Sequence, residues 1–302
     1  MITRQQFLTQ VRTQIFPLID IRAEWCSKLR HHTIILGTLA LYVFLMYCLN
    51  GNPVITLLIL LIPFAGFYAL DHFYRKQKTV VRPLIFRILG ADTRPEYKII
   101  GPTVDQLRQI HFLPKLDARR IDETADDSFG FPGDSVPFYV QEVHFSEGDE
   151  NSEHFRGALV RFPSGTYPDL NLMVMNKASL LYKDQIALSS RKALQSVFGS
   201  DEWQPLNLES VNFTKKYYSF TNDQLTARRI LTPLFIDRIR ELEAVYKAPV
   251  NILFFQGYLC LMIVKNRNMF EFSGSWKDMK TYEKFYDEIA ALYDFQHFFN
   301  LS

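Results

Sequence analysis

Cysteine is scarce in this chain. The three present in 302 residues, Cys26, Cys48 and Cys260, are odd in number, far apart and without C-x-x-C spacing. They encode neither a disulfide framework nor a zinc site, and a reducing cytosol suits the polar part of the chain. The sequence also lacks G-x-S-x-G, G-x-x-x-x-G-K-[ST] and G-x-G-x-x-G. Acyl transfer, nucleotide hydrolysis and dinucleotide binding therefore have no motif support, and no cofactor is implied. Net charge is small, at +2, but unevenly placed. Residues 1–90 hold 10 Lys and Arg against 3 Asp and Glu, and residues 91–302 hold 24 against 29. The acidic balance of the longer part argues against nucleic acid as a partner. Apolar residues, by contrast, are plentiful. A 48% hydrophobic fraction with 26 Phe and 15 Tyr supplies a packed core and excludes a disordered chain.

Two uncharged runs stand out, Thr33 to Leu49 with 17 residues and Pro53 to Leu70 with 18, separated by Asn50-Gly51-Asn52. A bilayer core needs ~20 apolar residues in helix, within a working range of about 17–25, so the pair predicts a two-helix transmembrane hairpin over 31–71. Pro63 and Gly66 either kink the second span or let it approach Gly37 and Ala40 of the first. Arg22, Lys28 and Arg30 precede the hairpin and Arg75, Lys76, Lys78 and Arg82 follow it, while the turn is uncharged. Both termini are therefore expected in the cytoplasm, with membrane lipids as partners of the basic flanks. No Asp, Glu, Lys, Arg or His lies inside either span, which argues against a transporter or proton-driven machine.

Residues 1–30 show Phe7, Val11, Ile15, Leu18 and Ile19 near the i, i+4 spacing of one helical face, and Pro17 is expected to kink or divide that helix. Residues 72–128 read as a basic stalk continuing the second span, with a break at Pro83, followed by a charged connector. Within it, Thr103 is expected to cap a short helix. Residues 129–302 read as a cytoplasmic α+β domain with a mostly antiparallel sheet. Strands are expected over Val136 to Phe145, Phe155 to Phe162, Leu170 to Met175 and Val211 to Phe220. The clearest hairpin is Val250 to Phe255, Gln256-Gly257 and Tyr258 to Val264. Helices are expected over Lys183 to Phe198, from an Asn222 or Asp223 cap through Arg229, from Thr232-Pro233 to about Tyr246, and over Thr281 to Tyr293.

The run from Phe213 through Tyr217, the block Thr226-Ala227-Arg228-Arg229-Ile230-Leu231-Thr232-Pro233 with Phe235 and Arg238, the hairpin, and Phe270-Glu271 resemble a bacterial family of membrane proteins. That family is known only as a domain of unknown function, numbered three-one-three-seven. The Phe155-Arg156-Gly157 element and the strand before it are similar to its earlier blocks. The resemblance implies a location in the bacterial inner membrane, no established catalytic residues, and a LemA-type membrane protein as a candidate partner.

The residues themselves point to few sites. Arg228 and Arg238 are placed to hold the bend at Thr232, by capping helix carbonyls or pairing with a carboxylate such as Glu271; binding of a phosphate or acidic partner there is the alternative. His144 and His154, with Glu142, Glu147, Asp149, Glu150 and Glu153 around them, are weak metal candidates without ligand spacing, and a solvated acidic turn explains them better. Cys260, in an apolar strand, reads as a buried small side chain. The expected function is a membrane-anchored interaction or scaffold protein without catalysis. The alternatives are a membrane-tethered enzyme with a site assembled from dispersed residues, or an envelope-linked regulator.

Overall fold

The computed structural model describes residues 1–22, 24, 44, 72–92, 101–110, 112–113, 128–131, 137–145, 155–179, 203–208, 210–265, 269–270 and 275–301. Its contacts divide the chain into two compact units, Met1–Gly90 with Glu271–Tyr286, and Ala91–Phe270 with Asp287–Ser302. The expected spans lie outside the described residues apart from Phe44. Among the described residues no helix is long and apolar enough to cross a membrane.

In the first unit, helix α1 (Arg4–Gln10) starts at a capping box. The Thr3 hydroxyl accepts from Gln6 N at 3.3 Å, and the Gln6 side chain accepts from Thr3 N at 2.9 Å. Phe7, Val11, Ile15 and Ile19 are all buried at four-residue intervals. In a uniform α-helix that interval drifts by about 40° per step, so the stripe would rotate off its face. The wider π turn over Val11–Ile15 takes up the drift, and a 3-10 turn at Phe16–Leu18 ends the run at Pro17 as expected. Helix α2 occupies residues 72–89 and passes through Pro83 without the expected break. Pro83 is exposed, so the carbonyl it leaves without a donor can be hydrated, while Val81, Ile85, Phe86 and Leu89 bury the other side. Phe86 meets Phe285 at 5.6 Å between ring centroids, and Tyr74 meets Trp276 at 5.1 Å.

The second unit holds an eight-stranded antiparallel sheet: β1 (Ser128–Phe131), β2 (Phe138–Phe145), β3 (Phe155–Pro163), β4 (Leu172–Asn176), β5 (Gln204–Pro205), β6 (Tyr217–Thr221), β7 (Val250–Phe255) and β8 (Tyr258–Val264). The order across it is β1-β2-β3-β8-β7-β4-β6-β5. With α3 (Val104–Gln109), α4 (Val211–Lys216), α5 (Gln224–Ile230), α6 (Pro233–Tyr246) and the C-terminal part of α7 (Met279–Leu301), this is the expected α+β fold. At the centre the sheet is apolar on both faces, and register assigns each residue. Val160, Leu261, Ile252 and Val174 align on one face, towards α6 and α7, where Phe162 lies 6.0 Å and Phe235 5.8 Å from Phe295. Leu159, Met262, Met173, Leu253 and Cys260 line the other, and Val104, Leu107, Phe112, Leu113 and Trp203 cover it.

Local chemistry explains most of these boundaries. Gln256 and Gly257 have φ of 51° and 74°, the paired left-handed values that a tight hairpin turn needs. Gly157 lies so close to β8 that a Cβ there would stand 2.3 Å from the Ile263 carbonyl oxygen. The expected strand over Val211 to Phe220 is half helix: α4 precedes β6, with the Ser210 hydroxyl accepting from Phe213 N at 3.4 Å. An even spacing such as Phe213 to Tyr217 fits a strand face and also one helical turn, and here the rings meet at 4.9 Å across that turn. Helix α7 is longer than expected at both ends, and the expected helix over Lys183 to Phe198 lies outside the described residues.

Candidate functional site

Two consecutive caps build the α5–α6 corner. Asp223 caps α5, its Oδ1 accepting from Leu225 N at 2.9 Å and Thr226 N at 3.1 Å, and its Oδ2 from the Thr226 hydroxyl at 2.6 Å. Those bonds, with Thr226 foremost, hold the Asp223 carboxyl below its ordinary range. Leu231 ends α5, and Thr232 caps α6 by accepting from Phe235 N at 3.2 Å, with Pro233 in the first turn. The Asp223 and Thr232 side chains thus cap the two helices that meet at the bend. Arg228 is exposed and makes no hydrogen bond or ion pair among the described residues. Arg238 pairs with Glu241 at 2.6 Å, one turn along its own helix, and stands 5.5 Å from the Phe298 ring centroid. Glu271 and His154 lie outside the described residues. His144 is in β2 opposite Arg156, and no group of metal-ligating side chains occurs among the described residues.

Glu243 was not singled out by sequence reasoning. It lies on the buried side of α6 between Ile239 and Tyr246, at the end of the sheet where β4 and β6 bring Asn176 and Tyr217 opposite each other. Its Oε1 accepts from the Asn176 side-chain amide and, at 3.5 Å, from Val250 N. Its Oε2 accepts from the Lys216 ammonium and, at 2.8 Å, from the Tyr217 hydroxyl. Asn176 is held in turn, its N–H donating to Asn251 Oδ1 at 2.8 Å and its Oδ1 accepting from Ala178 N at 2.9 Å. A carboxylate facing four donors has no lone pair left for a substrate proton, so Glu243 is a structural anchor and not a general base. Burial, and then Glu243 itself, push the Tyr217 phenol well above its ordinary value, which keeps it a neutral donor. The signal in the sequence was polar: Asn176, Glu243 and Asn251 each interrupt an apolar face.

Beside this network is a cleft of about 260 Å³, walled by Phe213, Tyr217, Tyr218 and Phe220. Its cation, Lys177, donates to the Thr214 carbonyl at 2.6 Å and lies 4.4 Å from the Tyr218 ring centroid, so the chain itself engages that charge. On the sheet face opposite Glu243, the buried Arg161 donates from Nε to the Pro102 carbonyl and from a terminal nitrogen to Gln141 Oε1, both at 3.0 Å. It ties the turn before α3 to the sheet. Its neighbour across the ladder, Cys260, is fully buried, and burial pushes its thiol up to about 12. That thiol is protonated and shielded at neutral pH, as its apolar surroundings in the sequence predict.

The described residues define the class: an α+β protein built on an antiparallel sheet. Residues 153–301 match the model of the family described as Protein of unknown function (DUF3137). The matched stretch begins two residues before β3 and ends with α7, so it contains the corner and the Glu243 network. The strand β2 precedes it. No curated protein and no solved structure matches the chain.

Proposed function

We propose that this chain is a membrane-anchored interaction protein. Residues 33–49 and 53–70 cross the bacterial inner membrane as a hairpin with basic cytoplasmic flanks, and the α5–α6 corner presents the docking surface. The observation that carries the reading is the exposure of large apolar side chains beside arginines on that corner. Leu225 is 74% exposed and shares its helix face with Arg228 and Arg229 at i+3 and i+4; Leu234 is 56% exposed, with Arg238 at i+4. Exposed leucines flanked by basic groups suit a partner that offers an apolar stripe edged with carboxylates. The closed Glu243 network and the shielded Cys260 thiol favour binding over catalysis.

A photocrosslinker in place of Leu225, in the full chain in native membranes, is expected to give a discrete protein adduct, with a LemA-type membrane protein the first candidate to test. Arg228→Glu with Arg229→Glu is expected to abolish that adduct without moving the thermal midpoint. Adducts that survive the charge reversal, or none at all, would sink the docking assignment. For the hairpin, Asn52→Cys is expected to react with an impermeant thiol reagent from outside the cell and Ser302→Cys is not; the reverse labelling overturns the orientation.

A further inference from the structure

We infer that the outer face of α6 pairs antiparallel with the same face of a second copy of this chain, about a two-fold axis midway between Ile239 and Arg240. The inference rests on the docking reading for the α6 part of the corner alone, and names what covers it. Phe235, Ile236, Ile239, Leu242, Glu243 and Tyr246 are the buried residues of α6. On the side they leave outward, Leu234, Arg238, Glu241 and Val245 fall within about 60° of one another at about 100° per residue, which makes a straight stripe along the helix. Leu234 is 56% and Val245 39% exposed, and the Glu241 side chain is 61% exposed. Arg238 is half-exposed, bonded to Glu241 at 2.6 Å and steadied by the Phe298 ring at 5.5 Å.

The order of side chains along the stripe identifies the occupant. From either end it runs apolar, charged, charged, apolar, and its two charges are opposite in sign. Turned end for end about the axis, it sets Leu234 against Val245 of the second copy and Arg238 against Glu241 of the second copy, the self-complementary contact that a two-fold requires. The four charges then alternate in sign around the axis, since each Arg238 also keeps its own Glu241. A parallel pairing would face Arg238 with Arg238, so charge selects the antiparallel one. Asp237 and Arg240, exposed at the rim, pair with each other at 3.0 Å. The face therefore carries two charges of each sign and does not repel its own copy, a balance that α5 lacks with Arg228 and Arg229 side by side. It also offers the apolar side chains edged with carboxylates that the exposed Leu234 calls for, and a second copy supplies them in the matching order.

The test uses the full chain in native membranes, with Cys26 and Cys48 changed to Ser and the buried, protonated Cys260 retained. Leu234→Cys and Val245→Cys are made singly and together, and treated with a bifunctional thiol reagent shorter than the ~16 Å of helical rise between the two positions. Across the axis position 234 meets position 245, whereas each position stands ~16 Å from its own counterpart. The double variant is therefore expected to give a covalent dimer of the chain, and neither single variant is. In the double-cysteine chain Arg238→Glu is expected to cut the dimer yield several-fold, and adding Glu241→Arg to restore it. No dimer from the double variant, equal yields from the single variants, or a charge reversal that the second reversal does not rescue each overturn the pairing; the last would mean that another protein covers the stripe. A dimer without the Leu225 adduct sinks only the docking assignment on α5, and the adduct without the dimer sinks only the pairing of α6.

Discussion

At the scale of single residues, exposure separates the arginines of the corner from the buried glutamate. Arg228 is exposed, so Arg228→Ala is expected to leave the stability of the folded protein within about 0.5 kcal/mol of the parent. Arg238→Ala removes a half-exposed i, i+3 pair and a cation held near Phe298, a loss of up to about 1 kcal/mol. Chemical denaturation of both variants checks this, and a larger loss for Arg228→Ala would mean that the guanidinium supports the bend after all. Glu243→Ala, in contrast, strands the Tyr217 hydroxyl, the Asn176 amide and the Lys216 ammonium, and is expected to cost at least ~2 kcal/mol. Lys216→Ala should cost less, because that ammonium is 44% exposed and water can replace part of its environment. Equal losses in the two variants would contradict a network centred on the carboxylate. Sequence pattern could not rank these residues, since a charged side chain on a helix reads as solvated until its partners from β4 and β6 are in place.

Elements were legible where a single period or cap governed them. The Thr103, Asp223 and Thr232 caps and the Gln256-Gly257 hairpin follow from local chemistry alone, and all four occur as expected. Val211 to Phe220 misled because its alternation satisfies two periods, and Pro83 because the cost of a proline depends on which side of the helix it occupies. The tightest constraint between elements is Gly157. A Cβ there meets backbone of β8 that cannot swing away, so Gly157→Ala is expected to destabilise the protein by about 1–3 kcal/mol or more. Gly257→Ala places its Cβ 3.8 Å from Pro168, an ordinary contact, and should cost only the about 1–2 kcal/mol of a left-handed alanine. Thermal denaturation of the pair checks the ranking; a Gly257→Ala loss above that of Gly157→Ala would overturn the close-approach account.

For the whole molecule, the sheet core extends further towards the N-terminus than a domain beginning at residue 129 implies. Val104, Leu107, Phe112 and Leu113 are buried on the face that carries Met173, Leu253 and Met262, and Arg161 holds the turn before them. The fragment 91–302 is therefore expected to show a cooperative thermal transition, whereas 129–302 bares that face and should melt lower or aggregate. A midpoint for 129–302 equal to that of 91–302 would show that α3 adds nothing to the core.

By itself the sequence determined the uneven charge, the two uncharged runs, the caps, the hairpin and the α+β class, because each depends on residues within a few positions of one another. Only the tertiary structure decided the strand order, the glutamate enclosed by Asn176, Lys216 and Tyr217, and the hydrogen bond from Gln77 to the Leu18 carbonyl. The physical reason is distance along the chain. Asn176 and Glu243 are 67 residues apart, and Leu18 and Gln77 are 59. No local period records which distant polar groups will be desolvated together, and it is that shared desolvation that separates a structural anchor from a surface charge.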